Sequence, residues 1–331
     1  MTRPGEASGA AALGGTRSSE LLRVDRLGRL FGATPSHQGV LLSIGDDAAV
    51  LAPGMLPLVW TVDTAVEGVH FRREWLTFED IGWRSAMAAS SDVAAMGARP
   101  LGLLSALVLP PSLTDEELEA LARGQAAAAA ALGTAVIGGN LSRGAELSLT
   151  TTVLGVAERP LERTAAKAGD LVALAGAVGL ARAGLEALRR GPSSAATEPA
   201  IVAWRRPRAR IAEGLVAAPL AHAAIDLSDG LALDAWRVAT ASRVRIELDE
   251  QRILESGGAE LADAARAVSL EPLELALHGG EDYALLITLP EGLELPGFLP
   301  VGRCTEGQGI AVRDATGAVS DVVPSGFDHF Q

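Results

Sequence analysis

The chain has 331 residues and a formal net charge of −13. This length is sufficient for two domains that each have a hydrophobic core. The excess of acidic residues argues against binding to a nucleic-acid backbone or to an anionic membrane surface. The one cysteine, Cys304, excludes an internal disulfide and a cysteine-based zinc site. We expect Cys304 to be an ordinary buried residue of a protein from the reducing cytoplasm.

The N-terminal residues 1–18 predict a disordered tail, because they are rich in Gly, Ala and Ser and lack the apolar segment of a signal peptide. No apolar run approaches the roughly 20 residues needed to span a bilayer. We therefore expect a soluble protein without a membrane or nucleic-acid partner.

The first predicted domain covers residues 19–160. An apolar stripe predicts a helix over 19–31, and strands are expected at 40–44 and 58–62, each with an acidic block at or just after its end. Thr77 and Asp80 predict the start of a second helix by capping, and Gly97 predicts its end. The remaining predictions for this domain are strands at 101–109 and 147–156, a helix at 114–133, and a short strand at 136–137 that leads into Gly138-Gly139-Asn140.

The second predicted domain covers residues 161–331. Its predicted elements are strands at 171–174 and 223–227, helices at 180–190 and 231–240, and a polar loop at 191–199. Strands that alternate with helices in both halves indicate an α/β or α+β architecture.

Acidic residues recur in short blocks flanked by glycine and alanine, at 45–50, 63–64, 91–97, 225–230 and 279–282. Two carboxylates about 4 Å apart in such surroundings repel by roughly 4 kcal/mol at an effective dielectric constant near 20, so a cation is expected between them. Oxygen ligands without nearby His or Cys favour Mg²⁺ over zinc, and carboxylate-held Mg²⁺ usually binds phosphate substrates. Each block alone is also compatible with an ordinary turn or a helix cap.

Other phosphate-binding and hydrolytic motifs are absent from the sequence. No glycine-rich loop is followed by Lys-Ser or Lys-Thr, which excludes a P-loop kinase. The chain also lacks a serine hydrolase elbow and zinc-ligand spacing.

The wording and order of the blocks resemble the thiamine-monophosphate kinase family of the aminoimidazole-ribonucleotide-synthetase-like superfamily. The resemblance covers nearly the whole chain after the N-terminal tail. The matching stretches are GDDAAV (45–50), DTAVEGVHF (63–71), SDVAAMGARP (91–100), GGNLSRG (138–144), RPRARI (206–211), IDLSDGL (225–231), GGEDY (279–283) and GFDHF (326–330).

The resemblance implies an α/β (α+β) protein of two domains whose N-terminal sheets pair across a homodimer into a barrel. It implies direct, Mg²⁺-assisted phosphorylation of thiamine monophosphate by ATP, with no residue assigned as a covalent or acid/base catalyst. Several Mg²⁺ ions are implied, with the ligands Asp47, Thr61, Val62, Asp63, Asp92, Asn140, Asp226 and Asp229. The implied ATP contacts are Gly139, Asn140, Arg163 and Ser228, and the implied substrate contacts are His70, Glu281 and Phe327.

The chemistry of the substrate and nucleotide residues is compatible with these roles. Arg163 can neutralise phosphate charge, Glu281 can accept a hydrogen bond from an aminopyrimidine, and Phe327 can stack on a flat cationic heterocycle. Two positions depart from the family pattern. Asn140 replaces a usual aspartate and removes one negative charge, and Val62 replaces a common hydroxyl residue, so its carbonyl and the Thr61 hydroxyl would serve instead.

Two other functions stay open. The chain could be another ATP-using enzyme of the superfamily, although Cys304 fits neither the N-terminal Cys of the selenophosphate type nor the terminal Cys of the hydrogenase-maturation type. It could also be a catalytically idle protein that binds nucleotide or thiamine diphosphate as a sensor, which only Asn140 supports.

Overall fold

The structure is a computed structural model that describes residues 20–32, 40–42, 50–52, 54–191 and 193–326. The tail at 1–18 and the predicted site residues Asp47 and Phe327 lie outside the described residues. The first elements are α1 (Glu20–Gly32), β1 (Val40–Leu42), β2 (Val50–Leu51), β3 (Leu58–Val66), α2 (Phe78–Ala95), β4 (Arg99–Leu109), α3 (Asp115–Ala131), β5 (Val136–Arg143) and β6 (Ser148–Val156).

The later elements form a second layered unit around a larger sheet. They are β7 (Leu171–Ala175), α4 (Leu180–Arg190), α5 (Glu198–Arg205), α6 (Ile211–Ala217), β8 (Ala223–Leu227), α7 (Leu231–Ser242), β9 (Arg245–Asp249), α8 (Glu250–Ala267), α9 (Pro272–His278), β10 (Ala284–Leu289), β11 (Leu299–Thr305), β12 (Gly309–Arg313) and β13 (Val319–Asp321). None of these or the earlier helices in the described ranges is both long enough and apolar enough to cross a membrane.

The first sheet has four strands in the order β3-β6-β4-β5, in which only β4 and β5 run parallel. Helices α2 and α3 pack against each other beside this sheet. Glycines allow their close approach, since a Cβ on Gly82 would lie 2.0 Å from the Leu121 carbonyl oxygen, and one on Gly124 would lie 1.9 Å from that of Glu79. Any larger residue at either position would force the two helices apart.

The second sheet has seven strands in the order β13-β12-β9-β11-β7-β10-β8, and only β9 and β12 pair in parallel. Its central strands are almost wholly apolar, and every residue of β8 and β10 is buried. Helices cover the sheet, which makes the strands near-continuous hydrophobic runs rather than alternating ones.

Helix α2 connects the two units. A capping box of Thr77 and Asp80 begins it, and Gly97 follows its end in the left-handed region, with φ +62°. Most of its residues are buried, because it contacts the first sheet on one side and β8, β10, α5 and α6 on the other. Polar side chains on α2 are therefore placed between the two sheets.

The mixed α/β architecture and most predicted elements are confirmed, with two corrections. Asp63 does not follow a strand but lies inside β3, because pairing with β6 continues to Val66. The strand predicted at 136–137 does not end before Gly138-Gly139-Asn140, because parallel pairing with β4 extends β5 to Arg143. Within the described part of a single chain the four-stranded sheet is open, so the predicted barrel is not formed by one chain. The domain boundary between residues 160 and 161 stays a prediction.

Candidate active site

Two predicted metal ligands, Asp92 on α2 and Asp226 on β8, lie close together between the two sheets. Burial, and then the negative charges of Asp92 and Asp234, raise the pKa of Asp226 to about 7. A hydrogen bond from Ser91 and the positive charge of Arg163 act in the opposite direction. Such a site favours a bound cation, because a cation would relieve both the repulsion and the desolvation of the carboxylates.

The donor atoms at this site are of the kind that Mg²⁺ prefers. The Thr61 hydroxyl donates a hydrogen bond of 2.5 Å to Asp92 Oδ2, which adds a neutral oxygen beside the two carboxylates. In the ranges that the structure describes, no three Asp, Glu, His or Cys side chains are close enough to hold a metal by themselves. The residues present therefore fit Mg²⁺ in chemistry and provide part of a ligand set.

Strand β3 presents the predicted ligands Thr61, Val62 and Asp63 at one edge of the first sheet. The Val62 side chain points to the open face and is 62% exposed, so only its carbonyl is chemically suited to a metal. Asp63 Oδ1 accepts a hydrogen bond of 2.8 Å from the Thr64 amide. The negative charge of Asp63 also acts on Tyr283, which places this edge beside the second unit.

Gly139 and Asn140 lie on β5, at the opposite edge of the same sheet. Asn140 Nδ2 donates a hydrogen bond of 2.9 Å to Ser142 Oγ, and a Cβ on Gly139 would lie 1.9 Å from the Ser105 carbonyl oxygen. Three strand spacings separate β5 from β3, a distance of about 14 Å. Within one chain the structure therefore does not bring Asn140 to Asp63.

Asp229 is joined to Arg237 on the following helix. Arg237 Nη1 lies 2.6 Å from Asp229 Oδ2 and 2.6 Å from Asp234 Oδ1. The other oxygen of Asp234 accepts the amide hydrogens of Asp229 and Gly230, at 3.1 and 3.2 Å. Burial raises the pKa of Asp234 to about 6, although Arg237 lowers it. The turn before α7 is thus fixed by Asp234, and Arg237 supplies the counter-charge for Asp229.

The predicted substrate residue Glu281 is held from two directions. Arg84 Nη2 donates to Glu281 Oε1, and Trp204 Nε1 donates to Glu281 Oε2 at 2.8 Å. The Glu281 amide donates to the Ser228 carbonyl oxygen at 2.7 Å, which joins the two loops that carry the predicted ATP and substrate residues. The backbone of Glu281 is left-handed, with φ +61°.

The neighbours of Glu281 have separate tasks. The Asp282 carboxylate accepts the amide hydrogens of Gly179 and Ala181, at 2.7 and 3.0 Å, and thereby caps α4. Burial raises the pKa of Asp282 to about 7. Burial also raises the pKa of Tyr283 above its usual range; the charge of Arg84 opposes this rise, and those of Glu281, Asp63 and Asp226 add to it. Tyr283 is therefore within electrostatic range of Glu281, Asp63 and Asp226.

His70 follows β3 in a tight loop. Its Nδ1 accepts a hydrogen bond of 3.0 Å from the Val66 amide, so the neutral ring carries its proton on Nε2. The loop is closed by the Gly68 amide, which donates to the Phe71 carbonyl oxygen at 2.8 Å. The imidazole is thus fixed in one orientation and one tautomer.

Sequence reasoning missed Arg84, Ser91, Trp204 and Arg237 as partners of the predicted site residues. A signal existed for Arg84 and Ser91, which lie seven residues apart on α2 and therefore on the same side of the helix. An arginine in a helix of small buried residues indicates a buried partner. The sequence does not reveal that this partner is Glu281, which is 197 positions away.

Comparison with known proteins places this geometry in a family. Residues 45–157 match the family model of the AIR synthase related protein, N-terminal domain. The thiamine-monophosphate kinase of Aquifex aeolicus is 35% identical over 292 residues, covering 87% of this chain and 92% of the relative. That of Pyrococcus abyssi is 32% identical over 277 residues, covering 82% and 86%. The chain belongs to the thiamine-monophosphate kinase family.

The solved structures agree with this family membership. AaThiL complexed with AMPPCP and TMP superposes with a TM-score of 0.78 at 32% identity, covering 94% of this chain and 97% of that one. A thiamine-monophosphate kinase fold therefore extends over both sheets of the chain, including the contact between α2 and β8 where Asp92 and Asp226 lie.

Proposed function

We propose that this chain transfers the γ-phosphoryl group of ATP to the phosphate of thiamine monophosphate, giving thiamine diphosphate and ADP. The relatives named thiamine-monophosphate kinase support this function, as does the likeness to a structure described as a complex with AMPPCP and TMP. The structural observation that supports it is the pair of the buried Asp226 and the partly buried Asp92, beside Arg163. An acidic pair of this kind with a cationic neighbour suits the binding of metal-bound phosphates.

The reaction needs positioning and charge neutralisation rather than a covalent catalyst. An oxygen of the substrate phosphate forms the new P–O bond while the bond between the γ-phosphorus and the bridging oxygen of ATP breaks, and ADP leaves. The attacking phosphate is already anionic, so no side chain has to remove a proton. Bound Mg²⁺ would neutralise the negative charge that gathers on the transferring group.

The residues divide into three proposed roles. Arg163 and the loop at Ser228, together with Gly139 and Asn140, contact ATP. Glu281, His70 and Phe327 contact the thiamine part of the substrate. The proposed metal ligands are Asp47, Thr61, the Val62 carbonyl, Asp63, Asp92, Asn140, Asp226 and Asp229. The free, buried thiol of Cys304 is compatible with the reducing cytoplasm as the site of action.

The protein is also proposed to act as a homodimer, in which two four-stranded sheets close into a barrel. The support is an apolar face of the first sheet on which several large side chains are exposed in the described part of the chain. On β3, Leu58, Trp60 and Val62 are 65%, 74% and 62% exposed, and Leu104 on β4 is 39% exposed. Contiguous exposed apolar surface of this kind marks an interaction site.

A dimer would also account for the distance between Asn140 and Asp63. Both edges of the first sheet, β3 and β5, are unpaired within the described part of the chain. If the β5 edge of a second copy joined the β3 edge of the first, Asn140 of the partner subunit would approach the edge that carries Asp63. In this arrangement each metal and nucleotide site uses residues from two chains.

The decisive experiment measures ADP release and thiamine diphosphate formation with Mg-ATP and three acceptors: thiamine monophosphate, thiamine and none. We expect turnover only with thiamine monophosphate, and none after metal removal by a chelator. Turnover with thiamine instead would identify a different kinase. ATP binding without turnover of any acceptor would identify the idle binding protein. Radiolabelled phosphate retained on the protein after ATP alone would contradict direct transfer.

A further inference from the structure

The Glu281 carboxylate, which belongs to the loop between α9 and β10, contacts side chains from two helices, α2 and α5. Arg84 approaches from α2 and donates to Oε1, and Trp204 approaches from the end of α5 and donates to Oε2 at 2.8 Å. Both partners are more buried than the carboxylate itself, since the Arg84 and Glu281 side chains are 7% and 29% exposed and Trp204 is 1% exposed. Glu281 is therefore the most exposed of these three side chains.

Trp204 and Arg84 also fix each other. The Arg84 guanidinium lies 4.7 Å from the centroid of the Trp204 ring and donates to the Trp204 carbonyl oxygen. Trp75 meets the same ring edge-on, with a centroid distance of 6.1 Å and an interplanar angle of 74°. Stacked and hydrogen-bonded groups of this kind have little rotamer freedom. Glu281 is held by a rigid pair rather than by two mobile side chains.

Trp75 connects this pair to the loop of His70. Trp75 ends the segment that follows His70, and its carbonyl oxygen accepts a hydrogen bond of 2.8 Å from Arg205 Nε. Trp75 lies five residues after His70 in the chain, so the segment that follows the His70 loop packs against the tryptophan that binds Glu281.

We propose that Arg84 and Trp204 are positioning residues that hold Glu281 as a charged acceptor for the amino-bearing heterocycle of the substrate. The proposal rests on the proposed function and extends it to residues that do not themselves touch the heterocycle. Each carboxylate oxygen has two acceptor positions, and the hydrogen bonds from Arg84 and Trp204 use one on each oxygen. As far as the described residues are concerned, one acceptor position on each oxygen remains for the amino group of a flat cationic ring.

The alternative is a purely structural role, in which the contact between Arg84 and Glu281 only joins α2 to the second unit. The backbone of Glu281 favours the positioning role, because a left-handed conformation at a residue other than glycine is unfavourable and is usually kept at functional sites. The two roles differ in measurable kinetics. A structural bond affects the KM values of both substrates and stability, whereas a positioning bond affects the KM for thiamine monophosphate.

The first test compares Trp204→Phe with Trp83→Phe. Both changes remove one indole N–H and keep an aromatic ring, but Trp83 donates to the Pro207 carbonyl oxygen at 2.8 Å instead of to Glu281. We expect Trp204→Phe to raise the KM for thiamine monophosphate about tenfold, because the change removes a hydrogen bond that orients the Glu281 carboxylate. The KM for ATP should change less than about twofold, and Trp83→Phe should leave both within that range.

The second test keeps the proposal falsifiable if Trp204→Phe does not fold. Arg84→Lys retains the charge but loses the planar fork, and Arg206→Lys is its control, since Arg206 also lies over a tryptophan, Trp83, and pairs with Glu79. We expect a raised KM for thiamine monophosphate in Arg84→Lys only. In a Glu281→Gln background, Arg84→Lys should add little to that KM, because the two changes act on one contact.

The possible results distinguish a failure of the proposed function from a failure of the positioning role. A wild-type protein that does not phosphorylate thiamine monophosphate would refute the proposed function. A wild-type protein that does so, with variants at Trp204 and Arg84 that raise the KM for ATP equally or match their controls, would refute the positioning role alone.

Discussion

Thr61 and Asp92 are joined by a hydrogen bond of 2.5 Å between the Thr61 hydroxyl and Asp92 Oδ2. This bond connects strand β3 to helix α2 at the point where Asp226 approaches from β8. The oxygens of Thr61 and Asp92 thus converge, beside the buried Asp226, on the place where phosphate transfer is proposed.

Asp92→Asn is expected to lower turnover on the order of 100-fold, because the change removes one charge from the proposed metal site while keeping its shape. The measurement is kcat with saturating Mg-ATP and thiamine monophosphate. Asp263→Asn is the control, since Asp263 is exposed on α8 and pairs with Arg266, away from the proposed metal ligands. Near-wild-type turnover in Asp92→Asn would remove Asp92 from the metal ligands.

Asn140→Asp is expected to retain activity and to shift the optimum Mg²⁺ concentration downward. The added carboxylate would replace a neutral oxygen with a charged one, and a hard cation binds more tightly to a charged oxygen. Ser320→Asp is the control, because it adds the same charge on the exposed strand β13, outside the proposed site. An unchanged Mg²⁺ titration in Asn140→Asp would show that this side chain is no ligand.

Trp60→Glu is expected to convert the proposed dimer into monomers. A charge on the apolar face of the first sheet would have to be buried without a partner in the closed barrel, at a cost of several kcal/mol. Molar mass from light scattering reports the change. Val202→Glu places the same charge on an apolar residue that is 49% exposed on α5, away from that face, and should leave the mass unaltered. A dimeric Trp60→Glu protein would place the interface elsewhere.

Arg237→Gln is expected to destabilise the metal-free protein by about 1–2 kcal/mol, because Asp229 and Asp234 would face each other without a counter-charge. Mg²⁺ should recover a larger share of stability in the variant than in the wild type, as it replaces the missing cation. Thermal unfolding with and without Mg²⁺ measures both effects. An equal Mg²⁺ shift in the two proteins would mean that Asp229 binds no metal.

Asp282 makes the stability of the metal-free protein depend on pH. Its pKa rises from 3.8 in the unfolded chain to about 7 in the folded one, so the folded state binds more protons between these values. Its contribution is fully present below about pH 4 and is lost as the pH rises through about 7. Asp282→Asn should flatten the decline of Tm between pH 4 and 7, whereas Asp263→Asn should not. An equally steep decline of Tm in Asp282→Asn would mean that other groups, such as Asp226, cause the pH dependence.

The sequence predicts those parts of the fold that depend on local patterns. The capping boxes of Thr77 and Thr114 and the glycines after α2 and α3 locate both helices, because caps act over three or four residues. The ends of β3 and β5 are not predictable in this way, since pairing with β6 and β4 determines how far each strand continues.

In the candidate site, too, local patterns are predictable from the sequence and long-range contacts are not. The type of each residue indicates its chemistry, so Asp92 and Asp226 are predicted as metal ligands from the sequence. Their partners are set by packing between distant segments, which is why Arg84 and Trp204 escape notice. The separation of Asn140 from Asp63 depends on strand order, which no local pattern encodes.

Two side chains on α2 contact residues at two ends of the proposed site. Arg84 holds Glu281 at one end, and Ser91, seven residues later on the same side, contacts Asp226 at the other. An α-helix rises 1.5 Å per residue, so these two anchor points are about 10 Å apart along its axis. Because the rise of a helix is fixed, α2 keeps these two contacts at a constant separation. If Glu281 binds the ring and Asp226 the metal-bound phosphates, as proposed, compounds with a different distance between ring and phosphate would reach one of these residues and miss the other.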